Sequence, residues 1–168
     1  MKKVMLLIVG MLLSFSASAA TLSLTTAGSN NASQEVSALV NNGPLAIGSG
    51  ETQGGNWYSY FDLTSDTDTS AVVEWSFNPE SAVNSATLGI YDATLNYLLT
   101  SAVVAGDFVT SVFLQAGHLY YVDFSSISST ALSYDISVSA VPVPAALFLF
   151  APALLGFFGL RRKAAVAA

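Results

Sequence analysis

The sequence predicts an all-β fold, an antiparallel β-sandwich or jelly-roll-like body, for residues 20–140. Apolar and polar residues alternate with a period of two through several short segments, which is typical of half-buried strands. Turn-like pieces rich in Ser, Asp, Asn and Gly separate these segments. No long stretch follows the period of 3.6 that indicates an amphipathic helix. Short strands with this punctuation favour two antiparallel sheets packed face to face.

Residues 1–19 are predicted to be a secretory signal peptide. Two lysines follow the initial Met, a short apolar run comes next, and small residues such as Ala17 and Ala19 close the segment. We expect signal peptidase to cut after Ala19, or after Ala20, once the Sec machinery has exported the chain. The alternative is an uncleaved anchor, although the apolar run is short for a full membrane span.

The first part of the body is the least regular. Residues 21–26 are predicted to form an edge or pairing strand. The following stretch "NNGPLAIGSGETQGG", residues 41–55, is rich in Gly and Asn and is predicted to be a flexible loop.

The later segments alternate more clearly. In "AVVEWSF" the apolar residues Ala71, Val73, Trp75 and Phe77 share one face, and "ALSYDISV" places Leu132, Tyr134, Ile136 and Val138 on one face in the same way. The segments "WYSYFDL", "ATLGIY", "FVTSVFL" and "HLYYVDF" are also predicted strands. The turns between them are predicted at "SDTDTS", "NPES", "DATLN", "AGD", "QAG" and "SSISST".

Residues 141–163 are predicted to include a transmembrane helix. Residues 145–160 carry no charge and would extend roughly 24 Å as a helix, slightly less than a bilayer core of about 30 Å. Arg161, Arg162 and Lys163 are costly to translocate and should stay cytoplasmic, with residues 164–168 as a short cytoplasmic tail.

The same segment resembles the PEP-CTERM sorting domain in its VPxPAA-type variants. The residues that match are Val141, Pro142, Val143, Pro144, Ala145 and Ala146, the apolar run "LFLFAPALLGFFGL", and Arg161, Arg162 and Lys163. Val143 departs from the family's commoner glutamate. The resemblance implies an exosortase that cuts near the Pro box and a Gram-negative source. It also implies transient anchoring in the inner membrane and delivery to the cell surface or an extracellular polysaccharide matrix. A permanent C-terminal anchor is the alternative.

Residues 55–139 resemble bacterial pre-peptidase C-terminal (PPC-like) β-sandwich domains. Three segments carry the resemblance: "NWYSYFDLTSDTDTSAVVEW", "ATLGIYDATLNYLL", and "LQAGHLYYVDF" with "LSYDISVSA". The resemblance implies an accessory module without catalytic activity.

The charge distribution excludes several classes of function. All five Lys and Arg residues lie at the two ends of the chain, and all eleven acidic residues lie between Glu35 and Asp135. A body with a formal charge of −11 and no cation cannot neutralise phosphates, which excludes nucleic acid as a partner. Anionic membrane surfaces would repel it. Without cysteine, and with His118 as the single histidine, thiolate and multi-histidine metal sites are excluded.

Few residues suggest chemistry. Asp66 and Asp68 are weak candidates for calcium ligands, although their segment lacks the glycine and distal glutamate of a full calcium loop, and a solvated turn is the alternative. Glu74 and Glu80 could serve a secreted hydrolase, but their spacing does not single them out. A Ser-His-Asp arrangement would have to use His118, and no Gly-x-Ser-x-Gly elbow is present. We expect no catalytic residue and no cofactor.

The aromatic residues suggest one binding function. Trp57, Tyr58 and Tyr60, with Tyr120 and Tyr121, are dense for so small a body. Such side chains either pack in the core or, where exposed, stack on sugars. The sequence thus predicts an exported, non-enzymatic surface or matrix protein associated with biofilm or exopolysaccharide. A glycan-binding or adhesive module that contacts polysaccharide through Trp57, Tyr58 and Tyr60 is the alternative, and a secreted hydrolase is a weaker one.

Overall fold

The computed structural model describes residues 19–128 and 130–141, and within them all strand pairings are antiparallel. The strands are β1 (Leu22–Asn30), β2 (Glu35–Val36), β3 (Leu45–Thr52), β4 (Gly55–Ser65), β5 (Thr69–Asn78), β6 (Val83–Asp92), β7 (Tyr97–Val104), β8 (Phe108–Leu114), β9 (Tyr120–Ser128) and β10 (Leu132–Val141). A single 3₁₀ turn, Glu80–Ala82, precedes β6 in this part of the chain. The predicted all-β sandwich is therefore confirmed for the body.

Two five-stranded sheets make up the sandwich. Sheet A has the order β1-β4-β9-β6-β7 and sheet B the order β2-β3-β10-β5-β8. From β3 onwards the chain changes sheet at every connection except the β6–β7 hairpin. Neighbouring strands are thus mostly distant in sequence, and β9 in the centre of sheet A pairs with both β4 and β6.

The core lies between the two sheets and follows the predicted alternation. Ala71, Val73, Trp75 and Phe77 of β5 point inward and are buried. The inward set of β10, Leu132, Tyr134, Ile136 and Val138, is also buried. Because Ala19–Val141 forms a compact unit that contains both sheets and this core, a fragment of residues 20–141 has every strand that it needs to fold.

The predicted loop at residues 41–55 is wrong over most of its length, because β3 occupies Leu45–Thr52 and pairs with β10 along eight positions. The inward positions of β3 carry small side chains. A Cβ on Gly48 would come within 2.8 Å of the Phe61 ring, and one on Gly50 within 2.3 Å of the Tyr134 hydroxyl. The aromatic residues opposite fill the space, so the strand shows no apolar alternation of its own.

The predicted turn "SSISST" is also mostly strand, since β9 continues to Ser128. Ser126 and Ser128 point inward and are buried. The Ser126 hydroxyl donates to the Ser85 carbonyl at 3.0 Å, which satisfies a polar group inside the sandwich. The turn prediction failed because it relied on the preference of serine for turns, whereas these serines occupy inward positions of a strand.

The predicted signal peptide and sorting segment lie mostly outside the described residues. Ala17 and the sorting residues from Pro142 onwards are outside them. Ala20 is buried in the core, and Val141 is the exposed last residue of β10. No helix within residues 19–128 and 130–141 is long and apolar enough to cross a membrane.

Candidate functional site

The outer face of sheet A carries a row of tyrosines. Strand alternation turns Tyr58 and Tyr60 of β4 outward, because their neighbours in β4 face the core. The register places Tyr60 opposite Asp123 of β9, and Tyr121 of β9 opposite Tyr91 of β6. Three strands that are distant in sequence thus bring their aromatic side chains onto one surface.

The rings of this row contact one another. Tyr58 and Tyr60 are stacked with ring centroids 6.4 Å apart, and Tyr60 meets Tyr121 edge-on at 5.9 Å. Tyr121 and Tyr91 are almost parallel, at 6.3 Å and 9° between their planes. Aromatic surfaces with polar tips in a continuous row suit ligands that have both apolar faces and hydroxyl groups.

The row encloses a groove of about 410 Å³, which we name the tyrosine groove, lined by Tyr60, Tyr91, Leu98, Tyr121 and Asp123. Leu98 enters from β7, where the register places it opposite Tyr91. Three tyrosines, one leucine and one carboxylate give the groove apolar walls and a single charged group, which is the usual composition of a small-ligand site.

Two glycines shape the groove. A Cβ on Gly89 would lie 2.5 Å from Asp123 Oδ1, and a Cβ on Gly28 would lie 2.5 Å from the Tyr60 ring. Real Cβ atoms do not approach other atoms so closely, so the carboxylate and the ring rest where only glycine leaves room. The lack of a side chain at Gly89 and Gly28 leaves the space that the Asp123 carboxylate and the Tyr60 ring occupy.

Asp123 is a carboxylate with little support from the protein. Within the described part of the chain, its side chain accepts one hydrogen bond, from its own backbone N–H. The carboxylate keeps an exposed edge, but the surrounding atoms displace water from its other sides, and this desolvation raises its pKa above the ordinary value.

Asp62 is a second carboxylate on the same face, opposite Tyr121 in the register. Its Oδ1 is buried and has no hydrogen-bond partner among the described residues, and desolvation raises its pKa too. Tyr60 and Asp123 form one cross-strand pair and Asp62 and Tyr121 form the next pair on the same face, so two rings and two carboxylates alternate in a block.

The structure separates the three aromatic residues that the sequence proposed as glycan contacts. The prediction that Trp57 contacts glycan is wrong, because its side chain is only 2% exposed. Trp57 packs inside the sandwich between Tyr134 and Phe124, and its ring centroid lies 5.4 Å from each of theirs. Tyr58 is 45% exposed and Tyr60 is half-buried, and both lie on the outer face. The period of two forces this division, because neighbouring residues of a strand face opposite sides.

Sequence reasoning missed part of the groove. Tyr91, Leu98 and Asp123 line it but were not proposed as site residues. Alternation within "HLYYVDF" would have placed Tyr121 and Asp123 on the same face, opposite to the buried Tyr120. Only the strand pairing shows that this face adjoins Tyr60 and Tyr91.

The two weak metal candidates serve as links between segments. Asp66 Oδ1 accepts a hydrogen bond from the Thr21 backbone N–H at 2.7 Å, and Asp68 Oδ1 accepts one from the Ala116 N–H at 2.8 Å. The backbone hydrogen bond from Thr21 lowers the pKa of Asp66. Within the described part of the chain, no three His, Asp or Glu side chains converge as a metal site would require.

The proposed hydrolase residues do not line the groove. Glu74 is exposed on the outer face of sheet B, and Glu80 lies in the 3₁₀ turn with its carboxylate over Gly106. His118 Nδ1 lies 2.9 Å from Asp92 Oδ2. No serine contact of His118 is found among the described residues, which leaves His118 without the nucleophile that a triad needs.

Asp92 is an anchor for the end of β6. It is buried, and its Oδ1 accepts hydrogen bonds from the Thr94 and Leu95 backbone N–H groups, both at 2.9 Å. Desolvation opposes its ionisation, but the hydrogen bonds from His118, Leu95 and Thr94 outweigh it and hold its pKa below the ordinary value.

Replacing this anchor should cost stability. We expect Asp92→Ala to lower the free energy of unfolding by about 2–3 kcal/mol, because three donors lose a charged acceptor. Since the pKa of Asp92 is lowered in the folded state, the difference from wild type should be complete above the ordinary carboxyl pKa of about 3.9 and shrink as pH falls below it. Urea unfolding across this pH range measures both effects.

The matched control is Asp135→Ala, which removes an exposed carboxylate from the outer face of sheet B. We expect it to change the free energy of unfolding by less than about 0.5 kcal/mol. Equal losses in the two variants would contradict the anchoring role of Asp92.

Comparison with known proteins gives no family. No family model matches the chain, and no curated protein matches it. Among solved structures, a carbohydrate-binding module (CBM6cm-2) from Cellvibrio mixtus lichenase 5A, in complex with cellotriose, has a TM-score of 0.43 at 10% identity and covers 72% of this chain and 98% of that one. The Podospora anserina GH26-CBM35 β-(1,4)-mannanase has a TM-score of 0.41 at 12% identity, covering 74% and 29%.

A cupin-2 domain protein from Rhodospirillum rubrum has a TM-score of 0.34 at 10% identity, covering 73% and 72%. Sugar-binding modules and a cupin domain thus occur together among the similar structures. With such scores and identities, the function of this chain has to be argued from its own residues.

Proposed function

We propose that this chain is an exported, non-enzymatic protein whose body binds glycans through the tyrosine groove. The observation that carries the proposal is the convergence of Tyr60, Tyr91 and Tyr121 from three strands around one carboxylate. Pyranose rings have apolar faces that pack on aromatic rings, and their hydroxyl groups donate to carboxylates and phenol oxygens. Tyr58 extends the row beyond the groove, which suits a polymer more than a single sugar.

The contrast between the two sheets supports this assignment. The outward positions of β10, at the centre of sheet B, are Ser133, Asp135, Ser137 and Ser139, whereas β9 at the centre of sheet A presents Tyr121 and Asp123. The exposed aromatic residue of sheet B, Phe113, lies on its edge strand β8, whereas the tyrosines of sheet A form a continuous row across β4, β9 and β6. Such a row of accessible aromatic residues indicates an interaction surface.

Hydrolysis is disfavoured by the composition of the groove. A glycosidase needs two carboxyl groups on either side of the bond that it cleaves, one acid and one base or nucleophile. Asp123 lines the groove and Asp62 lies beside it, so the groove presents one carboxyl group where cleavage needs two. We therefore propose binding without bond cleavage.

The test is depletion from solution by insoluble polysaccharides, using the fragment of residues 20–141. We expect the fragment to sediment with at least one matrix polysaccharide and to stay in solution with an inert resin. Failure to bind any member of a broad panel of neutral, acidic and amino-sugar polysaccharides would contradict the proposed function.

We further propose that the two ends of the chain deliver this module. The signal peptide exports it, and residues 141–163 hold it in the inner membrane until an exosortase releases it to the cell surface or matrix. The resemblance of this segment to PEP-CTERM sorting domains, together with its closing Arg and Lys cluster, supports the route.

Mass spectrometry of the mature protein tests the route. We expect a C-terminus near Pro144, because the enzyme implied by the resemblance cuts near the Pro box. Replacing Pro142 and Pro144 by alanine should leave the apolar run intact and block release. A mature chain that still ends beyond Lys163 would instead support a permanent anchor.

A further inference from the structure

The tyrosine groove holds negative charge that the body cannot balance. The body contains no Lys or Arg, and its one histidine, His118, is bonded to Asp92. Asp123 lies in the groove and Asp62 beside it, opposite Tyr121. Both are partly desolvated, which raises both pKa values. The free protein therefore bears a desolvation cost that no positively charged group of the body offsets.

A bound ligand would increase this cost unless it brings the missing charge. A neutral sugar over the groove would remove further water from the Asp123 carboxylate, and its hydroxyl groups would supply hydrogen bonds but no positive charge. An acidic sugar would add repulsion to a body of formal charge −11. An ammonium group compensates the carboxylate and donates three hydrogen bonds.

The aromatic walls favour the same ligand. Cations are attracted to the faces of tyrosine rings within about 6 Å, and aromatic cages bind ammonium groups in this way. Tyr60, Tyr91 and Tyr121 surround the carboxylate-bearing groove with centroid separations of 5.9 and 6.3 Å between neighbouring rings. The groove thus attracts a positive group in two ways, through the faces of the tyrosine rings and through the Asp123 carboxylate.

We infer that the tyrosine groove binds a cationic amino sugar, the 2-amino-2-deoxyhexose unit of a de-N-acetylated polysaccharide, with its ammonium group on Asp123 among the three rings. This inference rests on the proposed glycan binding and names the class of glycan. The apolar sugar face packs on a tyrosine while the amino group occupies the groove. Asp62, adjacent on the same face, attracts further amino groups of the polymer.

Isothermal titration with glucosamine oligomers and N-acetylglucosamine oligomers of equal length tests this inference, because the two series differ in charge at one position of each sugar. We expect the residue 20–141 fragment to bind the glucosamine series roughly ten- to a hundredfold more tightly. Asp123→Asn keeps the shape of the side chain and should abolish this preference.

Two further variants separate the groove from general attraction to an acidic protein. Glu74→Gln removes one negative charge from sheet B and should leave the preference intact. Gly89→Ala keeps every charge but places a Cβ where the Asp123 carboxylate lies, and should weaken glucosamine binding as Asp123→Asn does. Unfolding curves confirm that each variant is folded.

The outcomes are distinct. Equal binding of the two series, or equal losses in Asp123→Asn and Glu74→Gln, would overturn the amino-sugar inference and leave glycan binding in place. Absence of binding to both series and to every polysaccharide in the depletion assay would overturn the inference and the proposed function together.

Discussion

Phe124→Ala is expected to lower the free energy of unfolding of the body by about 3–5 kcal/mol, the largest effect of any single substitution considered for this protein. Phe124 points inward from β9 and its ring contacts four others: Tyr134 at 4.6 Å, Trp57 at 5.4 Å, and Phe61 and Phe77 at 6.4 Å. Removing it leaves a cavity that residues from both sheets line. These rings are too rigid to close the cavity fully.

Phe113→Ala is the matched control for this substitution. Phe113 lies on the outer face of sheet B and is 53% exposed, so the same change there should cost less than about 1 kcal/mol. Chemical denaturation of the residue 20–141 fragment measures both variants. Similar losses at the two positions would show that the aromatic cluster around Phe124 does not hold the sheets together.

The second large effect is expected on binding. Tyr121→Ala should reduce retention on the bound polysaccharide about tenfold, and Tyr60→Ala with Tyr121→Ala roughly a hundredfold, because each ring is expected to contribute about 1.4 kcal/mol, near the upper end for an aromatic contact. Tyr121 has the largest single effect because its ring contacts both Tyr60 and Tyr91. The same depletion assay measures the loss.

Tyr97→Ala is the control for binding. Tyr97 is an exposed tyrosine on β7 that does not line the groove. Its removal should leave retention within about twofold of wild type. If Tyr97→Ala and Tyr121→Ala reduce retention equally, binding depends on exposed aromatic surface in general and not on the groove.

The parts of the fold that the sequence predicted are those whose inward side chains are large. β5 and β10 show their alternation because Trp75, Phe77 and Tyr134 fill the core from them. β3 does not, since its inward Gly48 and Gly50 lie against aromatic rings of other strands. A strand whose inward residues are glycines shows no apolar alternation, because the aromatic side chains of other strands fill the space beside it.

The sequence predicted only those residues of the candidate site that lie on a single strand, β4. "WYSYFDL" predicts that Trp57 and Tyr58 face opposite sides, but not which side is the core. The groove itself depends on β4, β6 and β9 being neighbours, and these pairings are non-local. The contact between Gly89 and Asp123 also depends on the register of β6 and β9, which the sequence does not show.

Glycan binding by the tyrosine groove can be tested by titrating the ¹⁵N-labelled residue 20–141 fragment with the oligosaccharide that it binds. We expect the largest amide shifts on the residues that line the groove, Tyr60, Tyr91, Leu98, Tyr121 and Asp123. Residues of β10 and β5 on the outer face of sheet B should shift little. Shifts centred on sheet B, or spread evenly over both faces, would contradict glycan binding by the tyrosine groove.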